Sequence, residues 1–179
     1  MTTGLAILTF VHVLISLVGI GTGLVVLFGL LKGKSLDAWT AAFLATTVAT
    51  SVTGFFFPVH KFMPSHAVGI LSLVVLALAI YARYSRQMSR GWRKTYVISA
   101  MISLYLNVFV LVVQSFLKVP ALKAIAPTQT EPAFKLTQLA VFLAFIVVTA
   151  VAAIKFRHKE AVTTQLDIHS EPSLEHQKS

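Results

Sequence analysis

The first 31 residues contain no Lys, Arg, Asp or Glu, and this run constrains the chain more than any motif in it. At 1.5 Å per residue a bilayer crossing needs about 20 residues, so the run exceeds what one helical span requires. A secretory signal carries its basic region ahead of the apolar stretch, whereas here the first positive charge, Lys32, lies behind it. The segment is therefore expected to stay as a first helix. Four more apolar stretches follow, at about 39–57, 65–84, 95–117 and 134–156. Hydrophobic residues make up 56% of the 179 and charged ones 12%, about half the share found in soluble domains. A soluble core cannot hide so much apolar surface in so short a chain, which makes a bilayer the expected solvent. The predicted fold is all-α: a polytopic membrane helical bundle of five transmembrane helices over residues 1–156. A disordered cytoplasmic tail is expected over 157–179, where four of the six acids lie (Glu160, Asp167, Glu171, Glu175).

The net charge of +9 would suit nucleic acid, but its distribution fits a membrane topology instead. The breaks at 32–37 and 83–94, together with everything after 154, hold eleven of the fifteen Lys and Arg residues. Lys61, Lys118, Lys123 and Lys135 remain for the other side. By the positive-inside rule the N-terminus is outside and the C-terminus cytoplasmic. Trp39, Tyr81, Tyr84, Trp92 and Tyr96 gather at the inner boundary as an aromatic belt would. With no cysteine, disulfides, thiolate metal sites and thiol catalysis are excluded. The basic break at 83–94 suits anionic lipid head groups, although setting the topology would by itself explain it.

Between the second and third runs lies Phe55-Phe-Phe-Pro-Val-His60-Lys-Phe-Met-Pro-Ser-His66, whose two prolines predict the end of one helix and the start of the next. Ser65 is expected to cap the third helix, and Ser35 or Asp37 the second. Gly19 and Gly23 form a GxxxG pair that lets another helix approach closely; with no strand before it and no Lys-Ser/Thr after it, the segment is no nucleotide loop. Thr46, Thr50 and Thr53 share one face of the second helix, beside Thr47 and Ser51. Such hydroxyls usually bond their own helix or a neighbour, and packing is favoured over a substrate path. The stretch 118–133, with Pro120, Pro127 and Pro132, is predicted to be extended and irregular.

Counting 1.5 Å per residue from each helix's first inner charge, five polar residues reach one level. His12 lies about 30 Å out, Thr53 about 24 Å, His66 about 26 Å, Gln114 about 30 Å and Gln138 about 26 Å. The boundary of a hydrocarbon core about 30 Å thick would explain that level without any site. Helix four argues for more, because Ser99, Ser103, Asn107 and Gln114 recur on one stripe. Asn107, about 20 Å from the inner boundary, must find a partner or a wet cavity. Interhelical bonding satisfies it; a pocket open to the outside is the sharper alternative.

His158, His169 and His176 have no ligand spacing and are expected to face water, as is His60 in the outer break. His12 and His66, on different helices at similar depth, meet the minimum requirement for the two axial ligands of a haem inside a bundle. Zinc fits less well, since Glu131 is the only carboxylate outside. No Ser-His-Asp set can be assembled at one depth, so no catalytic residue is assigned. The run Leu104-Tyr-Leu-Asn107 through Gln114 and Pro120 to Glu131-Pro resembles a group of small bacterial integral membrane proteins with no assigned activity. That resemblance implies a bacterial inner membrane and brings no site residues.

These residues together suggest a small cofactor- or ligand-binding module with a polar site near the periplasmic face. Haem b or a quinone would be held by His12 and His66, with Asn107, Gln114, Gln138 and Thr53 as hydrogen-bonding groups. The alternatives are a transporter or permeation subunit working as an oligomer, and an accessory membrane subunit that does no chemistry. The expected partners are the lipid bilayer and further membrane subunits or copies of the chain, with no nucleic acid.

Overall fold

The computed structural model describes residues 3–58, 64–89 and 91–170, with side chains at 3–58, 66–89 and 91–156. The described residues form helices and turns only. In chain order these are α1 (Thr3–Leu31), α2 (Asp37–Gly54), α3 (Pro64–Ile80), α4 (Trp92–Lys118), the short α5 (Pro120–Ile125) and α6 (Pro132–Ser170). Four stretches are long and apolar enough to cross a membrane: α1, His66–Ser85, α4 and Pro132–Phe156. The 18-residue α2 is not among them, because six of its side chains are hydroxyls.

Local chemistry explains the helix ends. Gly33 takes a left-handed φ of 65°, and its N–H donates to the Leu30 carbonyl while that of Lys34 reaches Gly29. This 6→1 and 5→2 pair closes the end of α1, and a residue with a Cβ would be strained there. Pro64 opens α3, as a residue lacking an N–H suits the first helical position. Neither Ser35 nor Asp37 caps α2: the Ser35 hydroxyl donates to the Asp37 carboxylate instead. The Ser65 side chain and His60 lie outside the described residues. Pro120 starts the one-and-a-half turns of α5 inside the stretch predicted to be irregular, since its fixed φ suits a first helical turn as well as a loop. Helix α6 continues to Ser170, past the predicted boundary at 156, and extending an existing helix avoids the nucleation step. Residues 171–179 of the expected tail lie outside the described residues.

α4 is the centre of the bundle and touches every other helix. α2 lies between α1 and α3 and also meets α4, while α6 rests along α4 and α1. The approach of α1 to α2 and α4 is set by glycine. A Cβ at Gly23 would sit 2.6 Å from Leu104 and 2.9 Å from the Phe43 ring, and one at Gly19 3.2 Å from the Thr46 hydroxyl. The densest core, with Leu30, Phe43, Leu76, Tyr96, Met101 and Leu104, lies toward the end where α1 stops and α4 starts. At the opposite end, residues 3–18 of α1 include no fully buried residue.

Candidate functional site

The hydroxyls of α2 form its most distinctive surface, and they bind three neighbouring helices. With the Asp37 end of α2 labelled inner and the Thr53 end outer, Tyr96 of α4 donates its phenol to Thr40 at 3.3 Å and Asn107 of α4 donates its amide to Thr47 at 3.2 Å. Farther out, Ser51 donates to Ser72 of α3 at 3.1 Å, and His12 of α1 meets Thr53 at 2.8 Å through Nδ1. α2 is thus a polar strip sandwiched by apolar helices, each contact replacing a bond that lipid could not supply. Three of the four polar residues of the α4 stripe are accounted for within the protein. Ser99 and Ser103 donate to carbonyls one turn back, and Asn107 is taken by Thr47.

The outer end of the strip is chemically different. Thr53 has one hydroxyl proton, and it points to the Ala49 carbonyl at 2.7 Å, with Thr50 O at 3.1 Å. Toward His12, Thr53 can then only accept, so Nδ1 of the imidazole carries the proton. In the neutral ring Nε2 keeps its lone pair, and among the described residues no hydrogen-bond partner takes it up. Phe57 meets the ring edge-on at 5.2 Å, and Gly54 lies beneath it, where a Cβ would sit 3.7 Å from Cε1. One turn inward the Thr50 hydroxyl is buried without a hydrogen-bond partner. The half-buried His12 is thereby oriented through one nitrogen and open through the other.

The other predicted site residues do not join it. His66 packs beside Phe55, ring centroids 5.9 Å apart, on the α3 side of α2, whereas His12 stands on the α1 side. Gln138 donates to the Phe109 carbonyl of α4 at 3.3 Å and leaves its own amide oxygen buried and unpaired. Gln114 is exposed and hydrogen-bonds to none of the other described site residues. One depth thus resolves into separate pairings, because equal depth says nothing about which side of a helix a residue occupies.

At the inner end lies a contact absent from the predicted set. Helix α3 widens into a π turn over Tyr81–Ser85, and the N–H of Arg86 reaches back five residues to Tyr81. The turn swings Arg83 inward, where it is 8% exposed and pairs with Asp37. Its guanidinium also lies 5.3 Å from the Tyr96 ring and 5.7 Å from that of Tyr84. The Ser35 hydroxyl, and then Arg83, hold the Asp37 carboxyl below its ordinary range. One signal was available: Asp37 is the only acid in the first 130 residues, so a basic partner was to be expected.

A cavity of about 500 Å³ lies between α4 and α6. Among the described residues no cluster of His, Asp and Glu could hold a metal ion. The chain matches no family model, no curated protein and no solved structure.

Proposed function

We propose that this chain is a five-span protein of the bacterial inner membrane, N-terminus outside, that binds a small ligand through His12 at the outer end of α2. The length of α2, about 27 Å, supports a fifth crossing despite its hydroxyls, because its polar groups are turned toward other helices. The eleven-to-four division of basic residues supports the orientation.

The observation that carries the ligand reading is the 2.8 Å contact of His12 Nδ1 with a Thr53 hydroxyl that already lies 2.7 Å from the Ala49 carbonyl, from which the tautomer follows. A neutral imidazole with Nδ1–H fixed by an oxygen presents Nε2 as an electron-pair donor, the arrangement usual for metal-ligating histidines. Two ligand classes suit it: a haem b iron, or a quinol whose hydroxyl donates to Nε2. Thr53 acts by orienting the ring. His66 stands on the α3 side of α2, so the residue that would hold a haem iron here is His12. An ionisable side chain within a span is rare unless it pairs or functions, and Thr53 alone does not exhaust the capacity of this ring.

Titration of haem b and, separately, of a short-chain quinol into the purified protein in lipid nanodiscs tests the reading. Wild type should take up one of the two; His12→Ala should lose it and His66→Ala keep it. Uptake of neither by wild type, or equal uptake by His12→Ala, ends the proposal.

A second reading, an accessory subunit without chemistry, is supported by the strip itself, since most of its bonds serve packing.

A further inference from the structure

The cavity between α4 and α6 is a groove along the outside of the bundle. Its α4 wall runs from Lys94 to Tyr105 and its α6 wall from Phe142 to Ile154, so the two ends are defined by residues of both helices. The eleven and twelve helical steps along these walls make about 17 Å, close to half of a hydrocarbon core about 30 Å thick. One end is charged: Lys94 lines the mouth and Lys155, next to Ile154, is exposed on the opposite helix. Among the described residues the ion pair given is Arg83–Asp37, and no described carboxylate pairs with Lys94. The other end is closed by aromatic rings, with Tyr105 5.6 Å from both Phe142 and Phe145. Between the ends the lining is apolar apart from Thr149.

We propose that this groove holds one acyl chain of an anionic phospholipid whose phosphate rests on Lys94. Three features select that occupant. The groove's length matches a single leaflet, so a chain entering at the head-group level ends at the bilayer midplane. Its walls offer hydrocarbon contact and almost no hydrogen bonding. Its mouth carries positive charge at the depth where a phosphate would lie, which favours an anionic head group over a zwitterionic one. A helix from a second copy would also cover apolar wall, but it would bury Lys94 against apolar surface. The inference does not depend on His12 or on which side of the membrane the groove faces.

Native mass spectrometry of the full chain, released from nanodiscs of equal phosphatidylglycerol and phosphatidylcholine with the same acyl chains, reads the site directly. One retained phosphatidylglycerol per chain is expected. Lys94→Gln should lower the preference for the anionic lipid about fivefold, the factor that one positive charge near a membrane surface contributes. Lys34→Gln, at the same charged end but away from the groove, should leave it unchanged. Ala150→Phe fills the groove and should abolish retention of either lipid; Thr149→Phe serves the same purpose should the first variant fail to fold. Equal loss in Lys94→Gln and Lys34→Gln would mean a diffuse basic surface and would overturn the site. So would full retention in a folded filled-groove variant, displacement of the lipid by inorganic phosphate, or a dimer that the filling variants disrupt.

Discussion

The two ends of α2 are both polar, yet they have opposite characters. At the inner end the polar side chains of α2 are paired: Asp37 takes Arg83 and Ser35, Thr40 takes Tyr96, and Arg83 also faces two tyrosine rings. At the outer end, among the described residues, the Thr50 hydroxyl has no hydrogen-bond partner and His12 is bonded through one of its two nitrogens. Packing follows the same gradient, from the dense core around Tyr96 and Phe43 to the unburied start of α1. A polar group that is fully satisfied contributes to holding helices together, whereas one with unused capacity is available to a ligand. Substitutions at the inner end should therefore be read in stability, and those at the outer end in binding.

The contact that separates the two ends should give the largest effect. Gly23→Leu places side-chain atoms where Leu104 and Phe43 already lie, and both neighbours are fully buried. Overpacking of that kind costs about 3 kcal/mol. Unfolding in a detergent titration should show the loss, and a change below about 1 kcal/mol would mean that α1 can slide past α2.

Arg83→Ala comes next. It removes the ion pair, two ring contacts and the packing of a long buried stem. The ring contacts are each worth about 0.5–1 kcal/mol, so a total near 2 kcal/mol is expected once the exposed carboxylate is discounted. The same pair makes stability depend on pH. The folded Asp37 carboxyl titrates below its unfolded value, so its contribution is complete above the unfolded pKa near 4 and is lost as pH falls through the lower folded value. Asp37→Asn should flatten that acid limb; an unchanged limb would assign it to other carboxylates.

How far these residues could be read in advance depended on what periodicity carries. The apolar runs placed four long helices within a few residues, and Gly19 and Gly23 indicated a close approach, because length and side-chain volume are local properties. The face shared by Thr46, Thr50 and Thr53 was equally visible. The helix opposite each face was not, which is why His66 and Gln114 were grouped with His12 on depth alone. Arg83 was counted as a topology charge because a π turn, not the sequence around it, rotates it inward. The α4–α6 groove could not be seen either, since it exists only where two distant helices diverge.

Asn107 stands midway along the strip and should show an intermediate effect. Its amide donates to Thr47 at 3.2 Å beside Gly19, in a region with little free space. Asn107→Leu should cost about 1 kcal/mol, the modest scale of hydrogen bonds between membrane helices. The measurement that matters is its combination with Thr47→Val. If the bond is the whole effect, the second substitution adds little to the first; full additivity would assign the loss to packing instead.

The smallest stability change should come from Thr53→Val, and it is the sharpest probe of the outer end. Valine keeps the shape of threonine and removes the acceptor that holds the His12 Nδ1 proton. The ring is only half-buried and Phe57 still meets its edge, so a loss below about 0.5 kcal/mol is expected from one partly exposed bond. The tautomer should respond more than the fold. Nitrogen NMR of histidine-labelled protein should show His12 protonated at Nδ1 in wild type and shifted toward the Nε2–H form in Thr53→Val, with His66 unchanged as an internal control. That shift converts Nε2 from acceptor to donor, so a ligand that needs its lone pair should bind more weakly to a protein that is otherwise intact. Should wild-type His12 already carry its proton on Nε2, Thr53 would have to be donating to the ring. The contrast between a satisfied inner end and an available outer end would then lose its chemical basis.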